Sequence, residues 1–333
     1  MKCRTLTIFL LALLLLPAGP AASLAAGEIL CSTFPVWLFT RNIIEGSPRF
    51  QAGLMIGSQL GCPHDYSPTQ AELERLSRAE ILVINGLGLE AFLSRSLGVA
   101  KAGLKIIDAS GGRDPDQDSR SGPAALVIDK ESAVRLPGHH QDGPNPHIFA
   151  APGQAAGMVR NIGEALASLD MDNAELYLDN AAKLADELET LAASARNLGQ
   201  ELGRPKIISS HGVFDYLARD LGLSIVSHIE EEDGAAPSAA RLAALVKLAR
   251  QDGVRAVLTD PQGNINLART LGAEARLPVA VIDPVSAGPP DAPLDYYQKV
   301  MKTNLEVMKK LFAAPPPSSG RESVPAKRGQ QSR

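Results

Sequence analysis

The stretch Asp170–Leu202, DMDNAELYLDNAAKLADELETLAASARNLGQEL, constrains this chain more than any other. It holds no proline and a single glycine, Gly199, close to its end. Apolar residues recur at Tyr177, Ala181, Leu184, Leu188, Leu191, Ala195, Leu198 and Leu202, in alternating steps of four and three. That spacing keeps one stripe on one side of an α-helix. Asp170 or Asp172 stands where a helix cap is expected, and Gly203-Arg204-Pro205 is a stop signal. A helix of about 30 residues at ~1.5 Å each is a rod ~45 Å long, more than the width of one small lobe. The same spacing also fits a coiled-coil dimer. Alanine at several core positions favours packing against the chain's own body. The expectation is a joining helix, 170–203, with a lobe on either side and a ligand cleft between them.

A chain of 333 residues is long enough for two domains, each with its own core. The 33 basic and 37 acidic residues balance, with no basic block in the folded part, so nucleic acid is not an expected partner. Residues 1–26 read as an export signal. Lys2 and Arg4 precede the apolar run Leu6–Leu16, and Ser23-Leu24-Ala25 offers a small-x-small cleavage site near Ala25. That run is too short to span a bilayer, which takes ~20 apolar residues, so the chain is expected to be exported, with no membrane span once mature. Cys31 follows Glu28-Ile29-Leu30 rather than the small residues of a lipid-attachment site. In an oxidising compartment Cys31 and Cys62 either pair or remain a buried small hydrophobe and a free thiol.

Strand and helix patterns alternate along the rest of the chain. Strands are expected at Ile29–Thr33, Phe50–Ile56, Ile81–Asn85 and Leu104–Asp108, with helices at Pro35–Ile44, Pro68–Arg78 and Glu90–Leu97. Ser67, Pro68 and Gln70 spell a capping box for the second of these helices. The segment 109–143 breaks the rhythm with Gly, Asp, Ser and Pro and contains one candidate hairpin, Ala125–Ile128 with Ala133–Leu136. A helix from Pro152 to Ser168 leads to the joining helix. Beyond it, strands at Ile207–Ser209, Ser224–Ser227, Ala256–Leu258 and Val279–Ile282 alternate with helices at Gly212–Leu221, Pro237–Asp252 and Asn264–Ala275, before a last helix, Tyr296–Phe312. The fold class is therefore α/β, two lobes that are each a mostly parallel sheet flanked by helices, joined by one long helix. The expected divisions are a signal at 1–26, a first lobe at 27–169, the joining helix at 170–203, a second lobe at 204–312 and a disordered tail at 313–333.

Six histidines are present, and three lie where parallel sheets bind ligands. His64 lies in GCPHDYSPT past a strand, His147 in NPHIF at the exit of the long loop, and His211 in SSHGVF at a strand end; Asp283 ends another strand in VIDPV. Ligands of open parallel sheets sit beyond the carboxyl ends of the strands. Three neutral imidazoles and one carboxylate satisfy a tetrahedral Zn²⁺. Each of these residues has a plain alternative, a hydrogen-bonded polar side chain at a strand end or an Asp-Pro turn.

The stretches GCPHDYSPTQAELERLSRAEILVINGLGLEAFL, NPHIF, YLDNAAKLADELETL, IISSHGVFDYLARDLGL, APSAARLAALVKLARQDGVRAVLTDPQ and VIDPV, in this order, resemble the metal-binding subunits of bacterial ABC importers. These are the cluster A-I substrate-binding proteins for zinc and manganese, and the resemblance runs from about Ile29 to Phe312. It implies two α/β lobes on one long helix, a metal between them held by His64, His147, His211 and Asp283, no catalysis, and delivery of the metal as a monomer to a membrane permease. Histidine at 211, where manganese carriers often place a carboxylate, points to Zn²⁺ as the transported ligand with Mn²⁺ as the alternative. The chain departs from the zinc type in its loop, where only His139 and His140 remain as accessory metal candidates, and at Phe149, where Trp is common. His228, next to Glu230-Glu231-Glu232-Asp233, is read as part of an exposed acidic turn rather than a second metal site. The rival functions are a manganese or iron importer subunit of the same fold, a zinc hydrolase with Asp65 as its base, and a surface adhesin. The absence of an H-E-x-x-H pattern speaks against the hydrolase.

Overall fold

The computed structural model describes residues 26–61, 63, 66–112, 127–129, 143–230 and 237–313. The export signal, Cys62, His64, Asp65, His139, His140, the hairpin arm at 133–136, the acidic residues 231–233 and the tail lie outside them.

The first sheet is built from β1 (Gly27–Cys31), β2 (Phe50–Leu54), β3 (Ile81–Ile84) and β4 (Lys105–Asp108), all parallel, with β5 (Val127–Asp129) antiparallel at the edge, in the order β2-β1-β3-β4-β5. The strand at 127–129 thus pairs with β4, with Ile106 opposite Ile128. The apolar run of β3 is buried along its whole length, as expected for a strand covered on both faces. Its layers come from α1 (Phe34–Ile43), α2 (Gln70–Arg78), the single turn α3 (Leu93–Ser96) and α4 (Pro152–Leu169).

Two starts differ from the sequence expectation. Helix α2 begins after Thr69, whose hydroxyl accepts from Glu72 N while the Glu72 carboxylate accepts from Thr69 N at 2.7 Å. Thr69/Glu72 and Ser67/Gln70 both spell a capping box, and the carboxylate prevails because it meets the positive end of the helix with a full charge. The helix expected from Glu90 is cut to α3 and a 3₁₀ turn, Leu97–Val99. Glu90 is drawn back instead, its buried carboxylate accepting from Ser32 Oγ (2.7 Å), Asn85 N (2.7 Å) and Gly86 N (3.2 Å).

The long helix α5 runs Ala174–Leu202 and closes on Gly203 in the left-handed region, φ 70°. Neither Asp170 nor Asp172 caps it. A 3₁₀ turn, Met171–Asn173, precedes it, and Asp170 Oδ2 accepts from Tyr177 Oη at 2.7 Å and Asn173 Nδ2 at 2.9 Å. The apolar stripe from Tyr177 to Leu198 is buried, so the chain's own body covers it. It packs along α4 and also meets α1, α6 (Asp215–Asp220) and α9 (Tyr296–Ala313). One continuous apolar core therefore runs from β1 through α4 and α5 into the second sheet and α9.

That second sheet is wholly parallel: β6 (Lys206–Ser209), β7 (Ser224–His228), β8 (Ala256–Thr259) and β9 (Val279–Val281), ordered β7-β6-β8-β9. Its outer face is covered by α7 (Ala239–Gln251) and α8 (Ile265–Ala275) around Ile208, Val257, Leu245 and Leu271. The halves are tied together near the strand ends. Arg41 Nη1 donates to Ala292 O (2.6 Å), Gly288 N to Ser58 O (2.8 Å) and Tyr297 Oη to Phe149 O (2.8 Å). Among the described residues no helix is long and apolar enough to cross a membrane.

Candidate metal site

His147 opens a 3₁₀ turn, His147–Ala150, immediately before α4, and is 4 % exposed. Pro146 breaks the chain ahead of it, and Asn145 folds back onto it. Asn145 Oδ1 lies 2.9 Å from His147 N and 2.7 Å from His147 Nδ1. His211 comes from the other side of α5, two residues beyond β6, where Ser209-Ser210-His211 leaves the sheet and enters a 3₁₀ turn, Gly212–Phe214. The two imidazole centroids are 5.4 Å apart with the rings at 89°, and Phe149 packs on the His147 ring at 5.9 Å. Residues remote in sequence, one from the turn that opens α4 and one from the turn after β6, thus face each other.

Burial lowers the His211 pKa from 6.5, opposed by the charge of Asp260 and helped by His228. The lowering favours the neutral imidazole, the state that ligates a metal. Asp260, one residue past β8 and 3 % exposed, lies with Oδ2 3.6 Å from His211 Nδ1 and accepts from Ser210 Oγ at 3.0 Å. Asp283 follows β9. Its Oδ1 accepts from Val285 N at 2.8 Å, and the Asn304 side chain brackets its backbone, accepting from Asp283 N and donating to Asp283 O. Burial raises the Asp283 pKa, and the Asp260 charge raises it further; Glu230 is raised for the same two reasons.

The structure brings His147 and His211 together. Among the described residues it forms no group of three or more His, Cys, Asp or Glu placed to hold a metal, so Asp283 is not drawn into a cluster with the two histidines. Cys31 is a buried thiol whose pKa burial pushes up to about 12. His228 is tied by Nδ1 to Ser209 Oγ at 2.8 Å and stands 3.6 Å by Nε2 from Asp215 Oδ1.

Sequence reasoning missed Asp260 and Asn145. Asp260 carried a usable signal, since it ends β8 as Asp283 ends β9. Asn145 carried none, because an asparagine before proline reads as a turn. It nevertheless spans both halves: its Nδ2 donates to Gly212 O (2.7 Å) and Asp215 Oδ2 (3.0 Å), and its carbonyl accepts from Tyr216 Oη (2.8 Å).

A family model described as ZnuA, the periplasmic zinc-uptake complex component A, matches residues 29–311. The chain belongs to this family. It is 25 % identical over 295 residues to the zinc-binding protein AdcA of Streptococcus pyogenes serotype M6, a match that covers 86 % of this chain and 56 % of AdcA. The chain thus spans about half the length of that curated relative. A crystal structure of ZnuA shares its fold at a TM-score of 0.67 with 26 % identity, covering 86 % of this chain and 98 % of that one. The substrate-binding protein FpvC of Pseudomonas aeruginosa, solved with Ni²⁺, has the same fold at a TM-score of 0.69 with 22 % identity, over 86 % of this chain and 97 % of FpvC.

Proposed function

We infer that this protein captures Zn²⁺ between its two lobes and delivers it to the membrane permease of an ABC importer. The proposed ligands are His64, His147, His211 and Asp283. The observation that carries the reading is the pair His147–His211, whose ring centroids are 5.4 Å apart although one residue precedes the joining helix in the chain and the other follows it. Family membership supports zinc as the cargo. So does the donor set, because three imidazoles suit Zn²⁺ better than Mn²⁺, which prefers more oxygen ligands. In this reading residues 1–26 direct export to the periplasm with cleavage near Ala25, 27–169 and 204–312 are the lobes that meet over the ion, and 170–203 joins them. The mature chain acts as a monomer.

Metal analysis of the purified mature protein, followed by competition between Zn²⁺ and Mn²⁺, tests this. One zinc per chain that excess manganese does not displace is expected. A protein that takes up manganese in preference to zinc overturns the choice of cargo, and one that takes up neither overturns the function.

A further inference from the structure

We propose that Asn145 is the positioning residue of the metal site: it sets which nitrogen of His147 carries the proton, and so aims the other at the cleft. The inference rests on His147 being a ligand. Asn145 has one acceptor oxygen and one amide donor, and its surroundings assign both. Nδ2 faces two acceptors, Gly212 O at 2.7 Å and Asp215 Oδ2 at 3.0 Å, so that end must be the NH₂ group. Oδ1 faces the His147 backbone N–H at 2.9 Å, which confirms the orientation. The same oxygen lies 2.7 Å from His147 Nδ1. Two acceptors cannot sit at that distance without a hydrogen between them, so Nδ1 must carry the proton. A neutral imidazole has a single N–H, so with Nδ1 protonated it is Nε2 that carries the lone pair, the form in which a histidine ligates a metal through that nitrogen.

The amide does this from a fixed platform. Its donors hold Gly212, next to His211, and Asp215 at the start of α6, while its backbone carbonyl accepts from Tyr216 Oη. One side chain thereby orients the ligand of one half and anchors to the loop that carries the ligand of the other. Ligand orientation by an outer hydrogen bond typically changes metal affinity by ~10–100-fold. A neutral amide does this without adding a second negative charge beside Asp215, whose Oδ2 accepts from its Nδ2 at 3.0 Å.

The direct test is the ring ¹⁵N spectrum of the zinc-free wild-type protein at about pH 8, above the ordinary histidine range, with His147 assigned by its loss in His147→Ala. A protonated Nδ1 and a bare Nε2 are expected. The opposite tautomer, or an even mixture, would overturn the proposal, and this reading requires no Asn145 variant to fold. Zinc titrations add the second arm. Asn145→Ala should weaken binding ~10–100-fold. Wild-type affinity in Asn145→Ala alongside lost binding in His147→Ala refutes the positioning role alone. Wild-type affinity in His147→Ala refutes the ligand assignment beneath it.

Discussion

Glu90 is the buried carboxyl whose behaviour is most readily measured. Its side chain lies in the turn after β3, 8 % exposed, and Asn85 beside it donates through Nδ2 to Pro146 O, next to His147. Burial raises its pKa from 4.5 to about 7 despite the lowering effect of its donors Ser32, Asn85 and Gly86, with the Asp108 charge adding a smaller upward push. The folded protein holds this proton more tightly than the unfolded chain does. The resulting stabilisation is complete below pH 4.5 and is lost as pH rises through about 7. At about 1.4 kcal/mol per decade of proton affinity the full effect is about 3 kcal/mol. Urea unfolding of the zinc-free protein across pH reads it out against Glu90→Gln, which cannot ionise. From about pH 5 to about pH 8.5 the wild type should lose about 2–3 kcal/mol relative to the variant. Groups that titrate alike in both proteins, His211 among them, cancel in that difference. The glutamine keeps an acceptor for Ser32 and Asn85 but sets an NH₂ against Gly86 N, so it should be the less stable protein at acid pH. Parallel profiles would show that Glu90 is ionised in the fold and that this reasoning is wrong.

His64→Ala, His147→Ala and His211→Ala should each weaken zinc binding by more than about 100-fold, and Asp283→Ala by less because water can replace a carboxylate; equilibrium competition with a chelator measures all four. The double change of His139 and His140 to Ala should stay within about tenfold of the wild type in the same assay. Because burial holds His211 below 6.5, zinc affinity should fall only as pH drops below that value, when protons begin to compete for the ligands; an unchanged affinity at about pH 5 would refute histidine ligation. In the joining helix, Leu188 is fully buried whereas Leu178 is 45 % exposed. Leu188→Ala should cost ~2–5 kcal/mol in denaturant unfolding and Leu178→Ala no more than about 0.5.

The joining helix was legible because its stripe is both a local pattern and a packing surface: Tyr177, Leu184, Leu188 and Leu191 are buried as their spacing implies. Its start was not, because the carboxylate that looked like a cap accepts from Tyr177 Oη, a choice settled by how the Tyr177 ring packs. The same conflict shortened α3, where Glu90, a good helix former, is worth more as the buried acceptor of a turn. At the candidate site, His147 and His211 could be found because strand ends and histidines are visible in one dimension. Of the partners that tune them, Asp260 follows a strand as Asp283 does and could have been found the same way, whereas Asn145 is fixed by Gly212, Asp215 and Tyr216, remote in sequence, and those contacts leave no periodic or spacing signal.

Anomalous diffraction at the zinc edge, from crystals of the mature protein loaded with one zinc per chain, tests the central claim most directly. The account predicts a single strong peak between His147 Nε2 and the His211 ring, at the ~2.0–2.1 Å distances of zinc–imidazole bonds, with His64 and Asp283 completing the shell. A peak at His228, at the His139–His140 pair or at the acidic run 230–233, with none between His147 and His211, would contradict it.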